Sequence, residues 1–344
     1  MTVDLKNLSL EGIEALIAGL GKEQYRARQI MRWLYGRGAS SFAEMTDLAK
    51  ELRAELGRMA RISSLSPLEE ERAPDGTRKY LFGLGDGNQV ESVLIPDDGR
   101  LTLCISTQAG CAMGCRFCLT GRGGFARDLT AGEILDQILG VVRGLAKDER
   151  ISNCVLMGMG EPLANYDRVK QALAIMAADL GFGLSRRRIT LSTVGLIPQI
   201  KRLFAEQVPC RLAISLNATT QKVRSFLMPI SRRYPLGDLL AACRGLPLSP
   251  RERITFEYVL IQGVNDSEED AARLVRLIRG IRSKINLIPL NECPGILFRR
   301  SREKTVLRFQ KVLLEEGYTT IIRESRGGAI SAACGQLRGR ITGS

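Results

Sequence analysis

The chain has 344 residues, enough for about two domains, and its 44% apolar and 25% charged content is that of an ordinary globular protein, which excludes disordered and collagen-like classes. Lys and Arg number 50 against 37 Asp and Glu, a net charge of +13 that favours a polyanionic partner, because each neutralised phosphate releases counterions. Histidine is absent. That removes Ser-His-Asp triads, histidine bases and histidine-containing zinc sites, so chemistry must run on cysteine, carboxylates, lysine, hydroxyls or a cofactor.

Residues 1–62 predict a small basic helical unit. The segments LSLEGIEALIAGL (capped by Ser9), EQYRARQIMRWLYGRG and FAEMTDLAKELRAELGRMA repeat apolar residues at helical spacing. This unit carries the single tryptophan, Trp33, as a core candidate, and Arg26, Arg28 and Arg32 as candidates to face RNA. The opening MTVDLKNLSLEGIEAL lacks the basic, apolar and small-residue regions of a secretory leader, and no apolar run approaches the roughly 20 residues of a membrane span. A cytoplasmic location is expected. Residues 63–98 change character: TRKYLFGL and QVESVLIP flank GDGN, whose Asp86-Gly87 is a hairpin signal, and a connecting hairpin layer is expected.

From residue 99 to 344 a strand, a loop and an amphipathic helix recur. The strand candidates are LTLCIST, NCVLMG, RITLST, RLAISL, ITFEYVL, INLIPL and TTIIRE. The helix candidates are AGEILDQILGVVRGLA, YDRVKQALAIMAADLG, IPQIKRLFAE, EEDAARLVRLIRGI and REKTVLRFQKVLLEEG. Such alternation predicts an α/β fold built on a partial parallel (βα)6-type barrel, with functional residues at the C-terminal ends of its strands. Nine cysteines are too few for a disulfide scaffold of this length, and clustered ones point to metal or catalysis.

Cys111, Cys115 and Cys118 are spaced C-x3-C-x2-C just after the first barrel strand. Three thiolates on one tight loop can hold three irons of a [4Fe–4S] cluster and leave the fourth open to an exogenous ligand. A zinc knot is the rival, but it needs a fourth ligand, and the chain has no histidine and only scattered further cysteines. The second strand runs into Met157-Gly158-Met159-Gly160-Glu161-Pro162-Leu163. Its glycines would let backbone approach a ligand, and Glu161 offers a carboxylate to an ammonium group.

The cysteine triplet after a first barrel strand resembles the radical S-adenosylmethionine (SAM) superfamily. Taken with Cys104, GMGEPL, FGLSRRRITLST, AISLN, INLIPLN and AACGQL in that order, the chain resembles the RlmN/Cfr methyltransferases over nearly its whole length. That resemblance implies a cluster that cleaves SAM to a deoxyadenosyl radical, and methylation of an adenine in 23S ribosomal RNA. It implies that Cys334 takes a methyl group from one SAM, since an aromatic C–H is not nucleophilic enough to attack SAM itself. A radical from a second SAM then activates that methyl, which adds to the adenine, and Cys104 releases the product by attacking the Cys334 sulfur, leaving a transient disulfide. Glu91 corresponds to the family's proton acceptor. Gly160, Glu161, Ser192, Ser215, Leu216, Asn217 and Asn291 correspond to its SAM contacts.

Read without the resemblance, Cys334 is a small buried hydrophobe, Cys104 a sheet-packing residue and Glu91 a solvated strand carboxylate. GEPL and INLIPLN favour adenine C2 methylation (RlmN) over C8 (Cfr). Gly328 and Ala329 stand where two acidic residues are common, and Asn217 where histidine is common. Expected partners are 23S rRNA, transfer RNA as in some relatives, and an electron donor such as flavodoxin or ferredoxin, with the enzyme monomeric. The clusters Arg186–Arg188, Arg232–Arg233 and Arg299–Arg300 are candidate RNA contacts. The rival classes are a non-enzymatic iron–sulfur or zinc protein that binds nucleic acid, and a radical SAM enzyme acting on a peptide or metabolite.

Overall fold

A computed structural model describes residues 2–339. The N-terminal unit is closed by two short strands, Val3–Asp4 and Ala60–Arg61, which pair in parallel. Its first helix, Leu10–Gly19, starts where Ser9 Oγ accepts from Gly12 N at 3.2 Å, a cap that contributes about 1 kcal/mol. The second, Tyr25–Met31, runs on into a π-helical turn, Arg32–Gly36. Trp33 is nearly buried there, donates from Nε1 to Asp47 at 2.5 Å and stacks under Arg37, so packing is its role. The third expected helix is split into Phe42–Glu44 and Lys50–Met59. Glu44 caps backward onto the Ser40 and Ser41 N–H groups, and Asp47 is committed to Trp33, so the intervening backbone does not stay helical.

One ten-stranded sheet forms the rest of the frame. Its strands are β1 (Pro67–Arg72), β2 (Arg78–Gly83), β3 (Gln89–Asp97), β4 (Arg100–Cys104), β5 (Ile151–Leu156), β6 (Ile189–Thr193), β7 (Arg211–Ser215), β8 (Ile254–Leu260), β9 (Ser283–Pro289) and β10 (Thr320–Ile322). Their spatial order is their chain order. From β1 to β4 neighbours are antiparallel, and from β4 to β10 they are parallel. All seven expected parallel strands are present, curling into an open partial barrel. The expected hairpin layer is not a separate layer but the antiparallel extension of the same sheet.

Period-two alternation decides what the barrel shows to each side. In β8, Phe256, Tyr258 and Leu260 are fully buried in the core, where Tyr258 meets Phe309 of helix Glu303–Glu315 at 5.2 Å. Glu257 and Val259, between them, line the barrel cavity. An ion pair of fully buried Lys6 and Asp136 ties the N-terminal unit to helix Ala131–Val142, and Ser63 bonds both.

Four features escaped the pattern reading. β1, PLEEER, is an exposed edge strand whose acidic run resembles a loop and discourages edge-to-edge pairing. Helices Gln221–Leu227 and Leu236–Arg244 are short and separated by a stretch that carries Pro229 and Pro235. An antiparallel ribbon of Gln108–Gly110 with Phe125–Asp128 is too brief for any period to register.

Candidate active site

The ribbon gathers the cysteine loop. Between its strands, Gly110 and Gly114 take positive φ of 78° and 65°, Cys111 N donates to Gly124 O at 2.7 Å, and Arg116 N donates to Leu227 O at 2.9 Å. At Gly121 a Cβ would stand 2.9 Å from Cys115 N, so only glycine lets the following turn close over the loop. Cys111, Cys115 and Cys118 all line one cavity at the C-terminal ends of the strands.

Burial pushes the Cys111 thiol up to about 12 and Cys115 well above its usual range, and Cys118 adds repulsion to both. Desolvated neighbouring thiols of this kind favour the thiolate form once cationic iron is bound. Among the described residues no group of three or more Cys, Asp or Glu is gathered closely enough for a single metal ion. Three cysteines of one loop on one cavity can ligate three irons of a cubane and leave the fourth open, and the chain has no histidine to complete a zinc site, so the donor set suits a cluster.

Gly158 and Gly160 also line the cavity, but their necessity has another cause than ligand approach. A Cβ on Gly158 would lie 2.7 Å from Ile105 O, and one on Gly160 (φ +102°) 2.6 Å from Gln108 Cβ. The neighbouring chain, not a ligand, excludes side chains there. Glu161 is buried at the cavity wall and accepts from Leu163 N at 3.0 Å and from Val194 N at 2.8 Å, joining the β5 and β6 loops. Desolvation raises its carboxyl to about 7, against the lowering effect of these bonds.

Ser192, Ser215, Asn217 and Asn291 line the same cavity from the ends of β6, β7 and β9. Leu216 does not: its side chain is fully buried in the core. Asn217 sits at φ +56°, a left-handed conformation that asparagine tolerates better than most residues. Its Oδ1 accepts from Val259 N at 2.9 Å, and its carbonyl accepts from buried Asn265 Nδ2 at 2.8 Å. Asn291 donates to Cys334 O at 3.0 Å and accepts from Ser325.

Cys334 is placed by a segment docked from afar. Gly327 N donates to Asp75 Oδ2 at 2.9 Å, Lys79 Nζ donates to Ile330 O at 2.8 Å, and Leu119 N donates to Gly335 O at 2.8 Å. Glu91 Oε2 accepts from Arg338 N at 2.7 Å and Gly339 N at 3.2 Å, with Lys79 Nζ 3.5 Å from its other oxygen. Glu91 is thus a buried clamp rather than the solvated carboxylate its position in the sequence suggests. It lines neither the cysteine cavity nor the smaller one beside it.

That smaller cavity brings Cys104, at the end of β4, together with Cys334, which also lines the larger one. Both are free thiols. Cys334 keeps surface open to the cavities while dense surroundings raise its thiol pKa, and burial pushes Cys104 up to about 12 with Cys334 reinforcing the shift. Gly328 and Ala329 lie on an exposed turn, and a Cβ on Gly328 would meet nothing within 4 Å, so their difference from the common acidic pair is a surface matter.

Sequence reasoning passed over three residues of this site. Arg323 lines both cavities. Arg224 is fully buried and donates to Leu216 O at 3.1 Å, Ser215 O at 3.2 Å and Val194 O at 2.7 Å, tying strand ends together. Glu257 is buried in the cavity wall with one oxygen accepting from Asn286 Nδ2 at 2.9 Å and the other, Oε2, buried without a hydrogen-bond partner among the described residues. Only Glu257 left a trace, as a charge inside the apolar run ITFEYVL. Of the arginine clusters, Arg186–Arg188 precedes β6 and lies at the end of the barrel opposite the cavity, where Arg186 pairs with Glu252 at 2.8 Å.

Small hydroxyls and amides and a three-cysteine loop in one cavity suit a cluster with a nucleoside-bearing ligand. Residues 105–275 match the radical SAM superfamily, and residues 3–62 match the ribosomal RNA large subunit methyltransferase N-terminal domain. A crystal structure of a radical SAM methyltransferase from Sphaerobacter thermophilus superposes with a TM-score of 0.92 at 44% identity, covering 98% of this chain and 99% of that one. Fold and site together define a radical SAM protein.

The relatives narrow the class. The dual-specificity RNA methyltransferase RlmN of Geobacter sulfurreducens is 57% identical over 98% of this chain and 93% of its own length. That of Pelobacter propionicus is 54% identical over 98% and 96%. The chain belongs to the RlmN family of RNA methyltransferases. No described helix is long and apolar enough to cross a membrane.

Proposed function

We propose that this protein uses two SAM molecules to methylate C2 of an adenine in 23S rRNA, and of an adenine in the anticodon loop of transfer RNA. The observation that carries the reading is the position of Cys334 between two adjoining cavities, one walled by the three loop cysteines and the other by Cys104. A thiol there can receive a methyl group on the cluster side and meet a second thiol on the other.

Cys111, Cys115 and Cys118 would hold a [4Fe–4S] cluster, which supplies the one-electron cleavage of SAM once a donor such as flavodoxin or ferredoxin reduces it. Gly160, Glu161, Ser192, Ser215, Asn217 and Asn291 would bind SAM. Leu216 would contribute only backbone to that site, since its side chain is in the core. Cys334 carries the methyl carbon to the adenine and remains bonded to it through sulfur. Cys104 attacks that sulfur and frees the RNA, and the resulting disulfide must be reduced before the next turnover.

Glu91 takes the proton that leaves the adenine carbon, a role that rests on the family resemblance and requires the tail it clamps to shift during turnover. C2 is favoured over C8 by GEPL and INLIPLN, as in RlmN sequences. Nucleoside analysis of 23S and transfer RNA from cells with and without the gene tests the reading. 2-Methyladenosine that disappears with the gene supports it. 8-Methyladenosine would transfer the chain to the Cfr reaction, and neither product would end the proposal.

A further inference from the structure

The barrel has a second opening, at the end away from the cysteines. There the N-terminal ends of β7, β8 and β9 and the turn before β6 border a cavity of about 500 Å³. Its lining carries six cationic side chains, Arg186, Arg187, Arg211, Arg251, Arg253 and Lys284, against one carboxylate, Glu252. Glu252 is already engaged, pairing with Arg186 at 2.8 Å and accepting from Ser249 N at 3.0 Å. Arg253 donates to Thr319 Oγ1 at 3.1 Å. Arg187, Arg211, Arg251 and Lys284 make no ion pair or side-chain hydrogen bond among the described residues.

Lys284 is the least ordinary of them. In β9 it lies between buried Ser283 and Ile285, so its side chain points to the lumen side beneath Asn286, opposite Thr255 of β8. It is half-buried. Burial, and then the charge of Arg211, pull its ammonium below the usual lysine range, and Glu257 deeper in the lumen only partly offsets them. Like charges gathered without a counter-charge raise the energy of the folded chain, and an anion in the cavity relieves it. Half-buried Phe204 stands in the same wall and offers a ring face to a base.

We infer that this cavity binds the phosphodiester backbone of the RNA substrate, at a segment remote from the target adenine. The inference rests on the RNA-methyltransferase reading above and adds to it a second contact surface. β8 has seven residues, so its two ends lie roughly 20 Å apart. A nucleotide held at the far end is therefore not the one that meets Cys334, and only a large RNA that passes around the barrel fills both sites. An acidic protein is the poorer fit. An electron carrier placed there would face the barrel end opposite the cysteine loop, and a protein surface brings no base to Phe204.

The test is a triple variant, Arg211→Gln, Arg251→Gln and Lys284→Gln. It is compared with a second triple variant of equal charge loss, Lys304→Gln, Arg308→Gln and Lys311→Gln, on the exposed face of helix Glu303–Glu315. Each protein, anaerobic and iron-loaded, is titrated with a large fragment of 23S rRNA and with a short hairpin that carries the target adenine. The expected result is a fall of roughly tenfold or more in affinity for the large fragment. The slope of log K against log salt should become shallower by about two to three, at about 0.7–0.9 per lost phosphate contact. Affinity and kcat/KM for the hairpin should stay at wild-type values, as should every value for the helix variant.

Unchanged affinity for the large fragment overturns the inference. So does an equal fall in the helix variant or with the hairpin, because either reports net charge rather than a site. Loss of cluster reduction by flavodoxin with RNA affinity intact would assign the cavity to an acidic protein instead. Millimolar inorganic phosphate that binds the wild type but not the triple variant, and leaves RNA affinity unchanged, would make this a small-anion site and end the assignment to RNA. If the triple variant does not melt cooperatively, the exposed pair Arg211→Gln and Arg251→Gln takes its place, with a slope change of about one to two. Wild-type protein that binds neither RNA would sink the underlying reading, a result the variants cannot produce.

Discussion

The cysteine loop and the Cys334 segment reach the same cavity by opposite means. The loop is built largely from its own ribbon, positive-φ glycines and backbone bonds such as Cys111 N to Gly124 O, with Arg116 N tied to Leu227 O and Leu119 N to Gly335 O from outside. The segment Gly327–Gly339 has little regular structure, only the turn Gly328–Ile330. It is held mainly by side chains of the antiparallel strands and their turn, Asp75, Lys79 and Glu91, some 250 residues earlier in the chain. On the proposed reading, the cysteines that would hold the cluster are braced chiefly by their own ribbon, whereas the thiol that would deliver a carbon rests on contacts that can be released singly. The antiparallel part of the sheet therefore serves the site without lining it at Glu91.

Separate replacements should take the two regions apart. Cys334→Ala should abolish methylated product in an RNA assay while leaving iron content and SAM binding unchanged; Cys111→Ala should lose the iron. Cys104→Ala, with Cys334 intact, should instead accumulate a covalent protein–RNA species visible on a denaturing gel, and its absence would argue against resolution by Cys104.

A second difference is chemical. With its thiol pushed up to about 12 from an ordinary 9.0, Cys104 in the protein without cluster should alkylate about a thousandfold more slowly than an exposed cysteine at pH 8. Its rate should climb about tenfold per pH unit, because only the thiolate reacts. Rapid, pH-independent labelling at Cys104 by mass spectrometry would show that the Cys334 segment does not close over it.

Glu91→Ala should loosen the tail by about 1 kcal/mol, the cost of losing its bonds to two partly buried N–H groups. Hydrogen exchange should accelerate across residues 327–339 and at Leu119, whose N–H donates to Gly335 O, and stay unchanged across 108–115. Glu91→Gln keeps an acceptor for the tail, so a variant with normal exchange but slow turnover would separate the proton-accepting role from the clamp.

The last expected effect is a pH dependence, and it concerns Glu161. Its folded-state carboxyl titrates near 7 rather than 4.5, so between those pH values the folded protein holds a proton that the unfolded chain has released. Unfolding free energy of the protein without cluster should therefore fall as pH rises from 4.5 to 7, and Glu161→Gln should flatten that slope in denaturant titrations. An unaltered slope would place the cause elsewhere.

The sequence by itself determined the seven parallel strands, whose apolar runs alternate with amphipathic helices, and the cysteine triplet, whose ligands lie within eight residues. Such features rest on local periodicity and spacing, which a chain displays before it folds. The antiparallel extension, the contact of Cys104 with the Cys334 cavity, the burial of Leu216 and the clamp at Glu91 were decided only by tertiary structure. Each depends on residues far apart in sequence meeting in space, as Asp75 meets Gly327. Glu257 is the sharpest case: along the chain it is one charge in an apolar strand, and the sheet's alternation sets it in the cavity wall with Asn286 bonded to one of its oxygens.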